Sequence, residues 1–180
     1  PYGIATFGQK VYVTNNVWWS SGDPATVKVI DINTNSMVAT IPVGINPTGI
    51  AVDPATGKAY VANHNDLSKS FSVINPASNS VTKTIPINNP PAGIAISGNR
   101  AYVTTTVNMP NGTVEVIDTG TDTVISSIPV GRDSWGIAAS GSYVFVANQA
   151  SDTVSVIDIA TNTVVATLNV GDDPTHLAFD

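Results

Sequence analysis

One stretch of this chain is written four times over. Residues 143–171, YVFVANQASDTVSVIDIATNTVVATLNVG, hold three short apolar runs at 144–147, 154–159 and 164–170, separated by Asn, Asp, Ser, Thr and Gly. Short β-branched runs bounded by such residues read as strands joined by tight turns. A fourth run, Gly136-Ile137-Ala138-Ala139, lies just upstream, so the unit has four strands. Its Gly-Ile-Ala marker recurs at Gly3, Gly49, Gly93 and Gly136, with spacings of 46, 44 and 43 residues. No apolar pattern of period 3.6 runs for three turns, and turn signals arrive too often for helix.

Self-similarity at about 40 to 50 residues with four strands per unit is the signature of β-propeller blades. The expectation is therefore an all-β propeller of four-stranded antiparallel blades, at about 1–46, 47–90, 91–133 and 134–173, with 174–180 as the first strand of a further blade. The strands of each blade are A to D, counted outward from the axis. On this plan the glycines sit on the A strands, where convergence leaves room for little more than Gly and Ala.

The repeat also carries a literal motif. Tyr12-Val13-Thr14-Asn15 has counterparts at Tyr60-Val61-Ala62-Asn63, Tyr102-Val103-Thr104-Thr105 and Phe145-Val146-Ala147-Asn148. With the flanking Pro-x-Gly-Ile-Ala-Val-Asp (clearest at Pro47 to Asp53) and the Thr-Val-x-Val-Ile-Asp runs ending at Asp31, Asp118 and Asp158, the chain resembles the YVTN family of β-propeller repeats along essentially its whole length. The resemblance implies a propeller like those of surface-layer and surface-antigen proteins, commonly of about seven blades.

Composition narrows the setting. Charged residues are 11% of the chain, against about a quarter in an ordinary globular domain. Asn, Thr, Ser and Gly do most of the solubilising, a balance typical of extracellular or cell-surface proteins. The net charge of −6 argues against a nucleic acid partner, whose phosphates attract basic surfaces. Cysteine is absent, which removes disulfides and thiolate metal sites. No apolar run approaches the roughly 18 residues that a membrane helix needs, so membrane insertion is not expected. Beginning at Pro1 rather than Met, the chain reads as a processed or excised piece of a longer one, from which a targeting segment would be missing.

Departures from the repeat point to the candidate site, because loops lengthen without loss to the core only at the surface. Asn148 is followed by Val154 after six residues, whereas the equivalent separations are twelve from Asn15 to Val27, eight from Asn63 to Phe71 and nine from Thr105 to Val114. In a meander these B-to-C loops share one face with the D-to-A connections, and that face carries Trp18, Trp19, His64, Arg132, Trp135 and His176. Trp18 and Trp19, adjacent in the longest insertion, suit stacking on a sugar or anchoring a protein; the plainer reading is a lid over the neighbouring blade. Trp135 beside Arg132 and Asp133 could rim a pocket, or be an interblade wedge next to a surface ion pair.

Enzyme chemistry has a thinner basis. His64 and His176, the two histidines, are reminiscent of propeller lactonases and lyases, and Asp172 and Asp173 could join His176 at a metal. Glu115, the single glutamate, lies in a C strand far from them in the blade plan, and catalysis needs convergent groups. The C-to-D turns at Asp31, Asn75, Asp118 and Asp158 read as side-chain caps on backbone amides rather than as calcium loops, which need several carboxylates each. Asn111-Gly112-Thr113 is a glycosylation sequon.

The expected function is a noncatalytic binding or scaffold module that meets protein or carbohydrate partners through its loop-rich face. Neither a cofactor nor a metal is expected. The alternative is a lactonase- or lyase-like propeller enzyme with a site near the central axis. The strand begun at Pro174 needs B to D strands from elsewhere, from a longer parent chain or a second copy, and apolar faces including Ile4, Leu177 and Phe179 should want covering.

Overall fold

In the computed structural model, which describes residues 1–16, 25–65, 69–106 and 111–178, sixteen strands form four antiparallel sheets of four. The chain divides into two compact units, residues 1–91 and 92–180. The first holds a blade of β1 (Ile4–Phe7), β2 (Lys10–Asn15), β3 (Thr26–Asp31) and β4 (Ser36–Pro42), then one of β5 (Pro47–Val52), β6 (Ala59–Asn63), β7 (Ser70–Asn75) and β8 (Ser80–Pro86). The second holds the blade of β9 (Pro91–Ser97, whose first residue closes the first unit), β10 (Arg100–Thr105), β11 (Thr113–Asp118) and β12 (Thr123–Pro129). Its other blade comprises β13 (Ser134–Ser140), β14 (Tyr143–Asn148), β15 (Thr153–Asp158) and β16 (Thr163–Asn169), with a 3-10 turn at Gln149–Ser151. Each sheet is a meander in sequence order, the β-propeller blade expected from the repeat. No helix among the described residues is long and apolar enough to cross a membrane.

Turn chemistry sets the register. In three blades A and B are joined by two residues led by a glycine, Gly8, Gly98 or Gly141, with φ of 56°, 56° and 58°, the left-handed value such hairpins require. Between C and D, Asp31, Asn75, Asp118 and Asp158 each accept amide hydrogens from their own turn, such as Thr34 N at 3.0 Å and Thr121 N at 2.8 Å. The chain then passes through a left-handed Asn or Asp, at Asn35, Asn79, Asp122 and Asn162, residues that tolerate this conformation. Every C–D pair also carries a bulge at one place, Val29/Ile30 and its three equivalents, where the D strand has one residue more than its partner. That extra residue, Val38 in the first blade, is unpaired in the ladder.

Alternate residues of a strand face opposite sides, so each blade has two apolar faces, and the core lies between blades. In the first unit Tyr12, Val27, Val29 and Ile41 meet Ile50, Ala59, Val61 and Ile74. In the second, Tyr102, Val114, Val116 and Ile128 meet Val144, Val146 and Ile157. Cations stitch the blade edges: Lys10 Nζ donates to Pro76 O at 3.0 Å, and Arg100 to Ile159 O at 2.7 Å and Asn162 Oδ1 at 3.2 Å.

Successive A strands approach within each unit because glycine is there. A β-carbon built on Gly3 would overlap the carbonyl oxygen of Thr48, and one on Gly93 that of Trp135. The hydroxyls of Thr14 and Thr104 bind those carbonyls, at 2.8 and 2.9 Å, and accept the amides of Gly3 and Gly93 at 2.7 and 2.8 Å. Gly136 leaves the same room for Thr175 O, which would lie 2.5 Å from an added β-carbon. The segment from Pro174 thus occupies the place of a next A strand. Residues 174–178 nevertheless carry no regular secondary structure, since a strand is defined by ladder bonds that a B strand has to supply.

Candidate functional site

The two sets of connections that the meander sends to one side are tied together there by backbone bonds. His64 N, just past β6, donates to Asn46 O of the link into β5 at 2.9 Å, and Gln149 N, just past β14, donates to Asp133 O of the link into β13 at 3.0 Å. Asn46 and Asp133 both take φ near 50°, at 52° and 51°. Each unit therefore has one loop-built side resting on the ends of B and A strands.

Those sequence-selected residues that are described have different employment. The Nδ1 atom of His64 is 2.9 Å from Pro91 O; a carbonyl can only accept, so this nitrogen carries the proton in the contact. Arg132 donates its backbone amide to Ser151 Oγ at 2.8 Å and its guanidinium to Ala150 O at 2.6 Å. The guanidinium thus serves the carbonyl of the middle residue of the 3-10 turn, where the sequence suggested an ion pair with Asp133. Trp135 is half-buried on β13, its carbonyl held by Thr104. His176 is exposed, with Nδ1 2.9 Å from Thr175 Oγ1. Trp18 and Trp19 lie outside the described residues, as does Phe179.

Among the described residues no group of three or more His, Cys, Asp or Glu is placed to hold a metal ion. Asp172 and Asp173 are exposed, and the Asp173 amide bonds Asp152 Oδ1 at 3.0 Å. Glu115 is buried and accepts the hydroxyls of Thr113 and Ser127, each at 3.0 Å. The carboxylates of Asp31, Asp118 and Asp158 are held below their ordinary range by amide bonds within their turns, chiefly from Thr34, Thr121 and Thr161. Asn111 of the sequon is exposed, while Thr113 is already in β11 with its hydroxyl engaged.

Two features escaped the reading of the sequence. Asn148 is a buried polar peg: its amide donates to Thr153 Oγ1 and Ser155 Oγ at 3.1 and 2.9 Å, and its Oδ1 accepts Ser134 Oγ at 3.1 Å. Asn63 repeats this toward Ser70 and Ser72, at 3.1 and 3.0 Å. Gly44 and Gly131 give these pegs room, for a β-carbon on either would come within 2.5 Å of the asparagine side chain. Beside the second peg a cleft of about 330 Å³ opens between β12 and β15–β16, lined by Pro129, Gly131, Ser151, Thr153, Ser155 and Thr167. Its signal was the period-two placement of hydroxyls at 151, 153 and 155. The second is the place of His176, a residue already singled out: it stands at the position where the four A strands carry glycine.

The sequence matches no protein-family model and no curated protein. In structure it is similar to a chain of hydrazine synthase from Kuenenia stuttgartiensis, 27% identical with a TM-score of 0.82, over 93% of this chain and 48% of that one. It is also similar to U3-55K (15% identical, TM-score 0.74, 93% of this chain and 49% of that one). A third likeness is to a structure of a nidogen/laminin complex (14% identical, TM-score 0.69, 93% of this chain and 62% of that one). The chain thus spans about half the length of the first two neighbours, and the likenesses agree on the propeller fold.

Proposed function

We propose that this chain is a noncatalytic binding or scaffold module of a secreted or cell-surface protein, with the repeat organisation of YVTN propellers, and that its partner is a protein or carbohydrate met on the loop-rich side. The observation that carries this reading is the tying of B-to-C loops to D-to-A links in each unit, through His64 and Asn46 and through Gln149 and Asp133. Regular strands hold loops of unequal length in a fixed frame, the arrangement by which rigid scaffolds present variable recognition surfaces. Arg132 and His64 are bonded to backbone carbonyls there, which orders them as contact residues. The nidogen neighbour, seen in complex with laminin, is a case of the fold in a protein assembly.

Binding is measured on a carbohydrate array and against a panel of purified cell-surface proteins, with tryptophan fluorescence as the solution readout. Trp18→Ala/Trp19→Ala and Arg132→Ala should weaken the partner so found, with the melting temperature nearly unchanged for the tryptophan pair. In parallel the chain is assayed for lactone hydrolysis with and without divalent cations. Turnover that vanishes in His64→Ala or His176→Ala would sink the noncatalytic reading in favour of the lactonase-like one.

A further inference from the structure

The third blade shows what fits a place that the fourth leaves open. Their C and D strands align residue for residue, so Thr113, Glu115 and Ser127 of one correspond to Thr153, Ser155 and Thr167 of the other, with Glu115 opposite Ser127 and Ser155 opposite Thr167. In the third blade one oxygen of the Glu115 carboxylate accepts both the Thr113 and the Ser127 hydroxyl, each at 3.0 Å, and the side chain is 6% exposed. In the fourth blade serine replaces the glutamate. The two flanking hydroxyls remain, as threonines, and the cleft of about 330 Å³ between β12 and β15–β16 lies where the carboxylate would be.

The hydroxyls that line the cleft are set as donors. Asn148 Nδ2 donates to Thr153 Oγ1 and to Ser155 Oγ, and Arg132 N donates to Ser151 Oγ. Each oxygen thus receives an N–H, and among the described residues no protein group accepts the proton that each retains. Ser155 is 2% exposed, and a buried donor without an acceptor is costly. Thr167 adds a fourth hydroxyl at the rim. A carboxylate only accepts and has about four lone-pair sites, so one such group satisfies several of these donors at once. Arg132 borders the site: its neighbour Gly131 forms part of the wall, and its guanidinium is held at Ala150 O. Asp152, between two of the donors, is exposed and accepts the Asp173 amide. The lining itself carries no carboxylate, and charges more than about 8 Å away through solvent are screened at physiological ionic strength.

We infer that this cleft binds a small organic carboxylate, seated so that its oxygens take the place of the Glu115 carboxylate and accept the protons of Thr153, Ser155 and Thr167. The volume is at the lower end of the range of about 300–1,000 Å³ found for small-ligand sites, room for an acid of about one sugar ring. Thr153, Ser155 and Thr167 belong to C and D strands, so a ligand here is independent of what meets the loops.

Acetate and glucuronate are titrated into the isotope-labelled chain at constant ionic strength, beside their neutral counterparts acetamide and glucose, and the backbone amide shifts are followed by NMR. At least one acid should give saturable shifts at Ser151, Thr153, Ser155 and Thr167, with a dissociation constant in the millimolar range. Its neutral counterpart should bind at least about tenfold more weakly, because hydrogen bonds to a charged acceptor are the stronger ones. Thr167→Val, at an exposed position, should weaken the acid at least about fivefold with the circular dichroism unchanged. Ser155→Glu puts the protein's own carboxylate into the cleft, as in the third blade, and should abolish binding. No saturable shift by either acid up to about 100 mM would overturn the site, as would saturable shifts that spare these four residues or equal binding of the acid and its neutral counterpart. Full binding by a folded Ser155→Glu chain would also overturn it; should that variant not fold, undiminished binding by Thr167→Val does so instead.

Discussion

Ser134 Oγ donates to Asn148 Oδ1 at 3.1 Å, and the second blade lacks that bond because Pro47 stands where Ser134 does. The two pairs share one register, Pro47 opposite Asn63 and Ser134 opposite Asn148. Proline has no hydroxyl, and Asn63 Oδ1 is buried without a hydrogen-bond partner. Leaving a buried acceptor unsatisfied costs roughly 1–3 kcal/mol, whereas losing a proline's restraint on the unfolded chain costs about 0.4–1 kcal/mol. Pro47→Ser should therefore raise the melting temperature, and Ser134→Pro should lower it. A drop in stability for Pro47→Ser, measured by denaturant titration, would show that the peg in the second blade is satisfied some other way.

The interblade cores predict a contrast between two residues at one repeat position. Ile128→Ala removes a buried side chain packed against Val144 and Val146 and should cost about 2–4 kcal/mol. Leu168→Ala, at the exposed equivalent, should change stability by about 0.5 kcal/mol or less. Similar losses for both in the same urea titration would mean that Leu168 is covered in solution.

Thr104 joins Gly93 to Trp135 by accepting an amide and donating to a carbonyl. Thr104→Val keeps the shape and removes both bonds, for an expected loss of about 1–3 kcal/mol. Gly93→Ala should be at least as damaging, because its β-carbon meets a backbone carbonyl and not a movable side-chain end. A Gly93→Ala protein that melts with the wild type would contradict the close approach of the A strands.

The turn aspartates predict acid sensitivity. Asp31, Asp118 and Asp158 have folded pKa values lowered from 3.8 by the amides they accept, so their charged forms favour the folded state. That contribution is complete above the unfolded value and is lost as pH falls through the folded one. Stability should decline below about pH 4, and Asn at all three positions should flatten the decline, since the second blade already uses Asn75 for the same cap. A melting-temperature profile between pH 5 and pH 2 that is unchanged in the triple variant would remove these carboxylates as its cause.

What the sequence by itself determined is whatever depends on local chemistry repeated at a fixed interval. β-branched alternation specifies strands, glycine leading a two-residue loop specifies the A–B hairpin, and Asp or Asn after the C strand specifies the C–D turn, because each acts within a few residues of itself. Repetition at 46, 44 and 43 residues then fixes the blade. Only the tertiary structure decided the rest, because it depends on which chain segments meet across long separations. That Arg132 turns to Ala150 rather than to Asp133, that Asn148 finds Ser134 while Asn63 finds a proline, and that His64 meets the Pro91 carbonyl all follow from neighbours about 14 to 27 residues away. The difference between Ile128 and Leu168 is of the same kind: nearly identical side chains at one repeat position differ in burial because one has a blade beyond it.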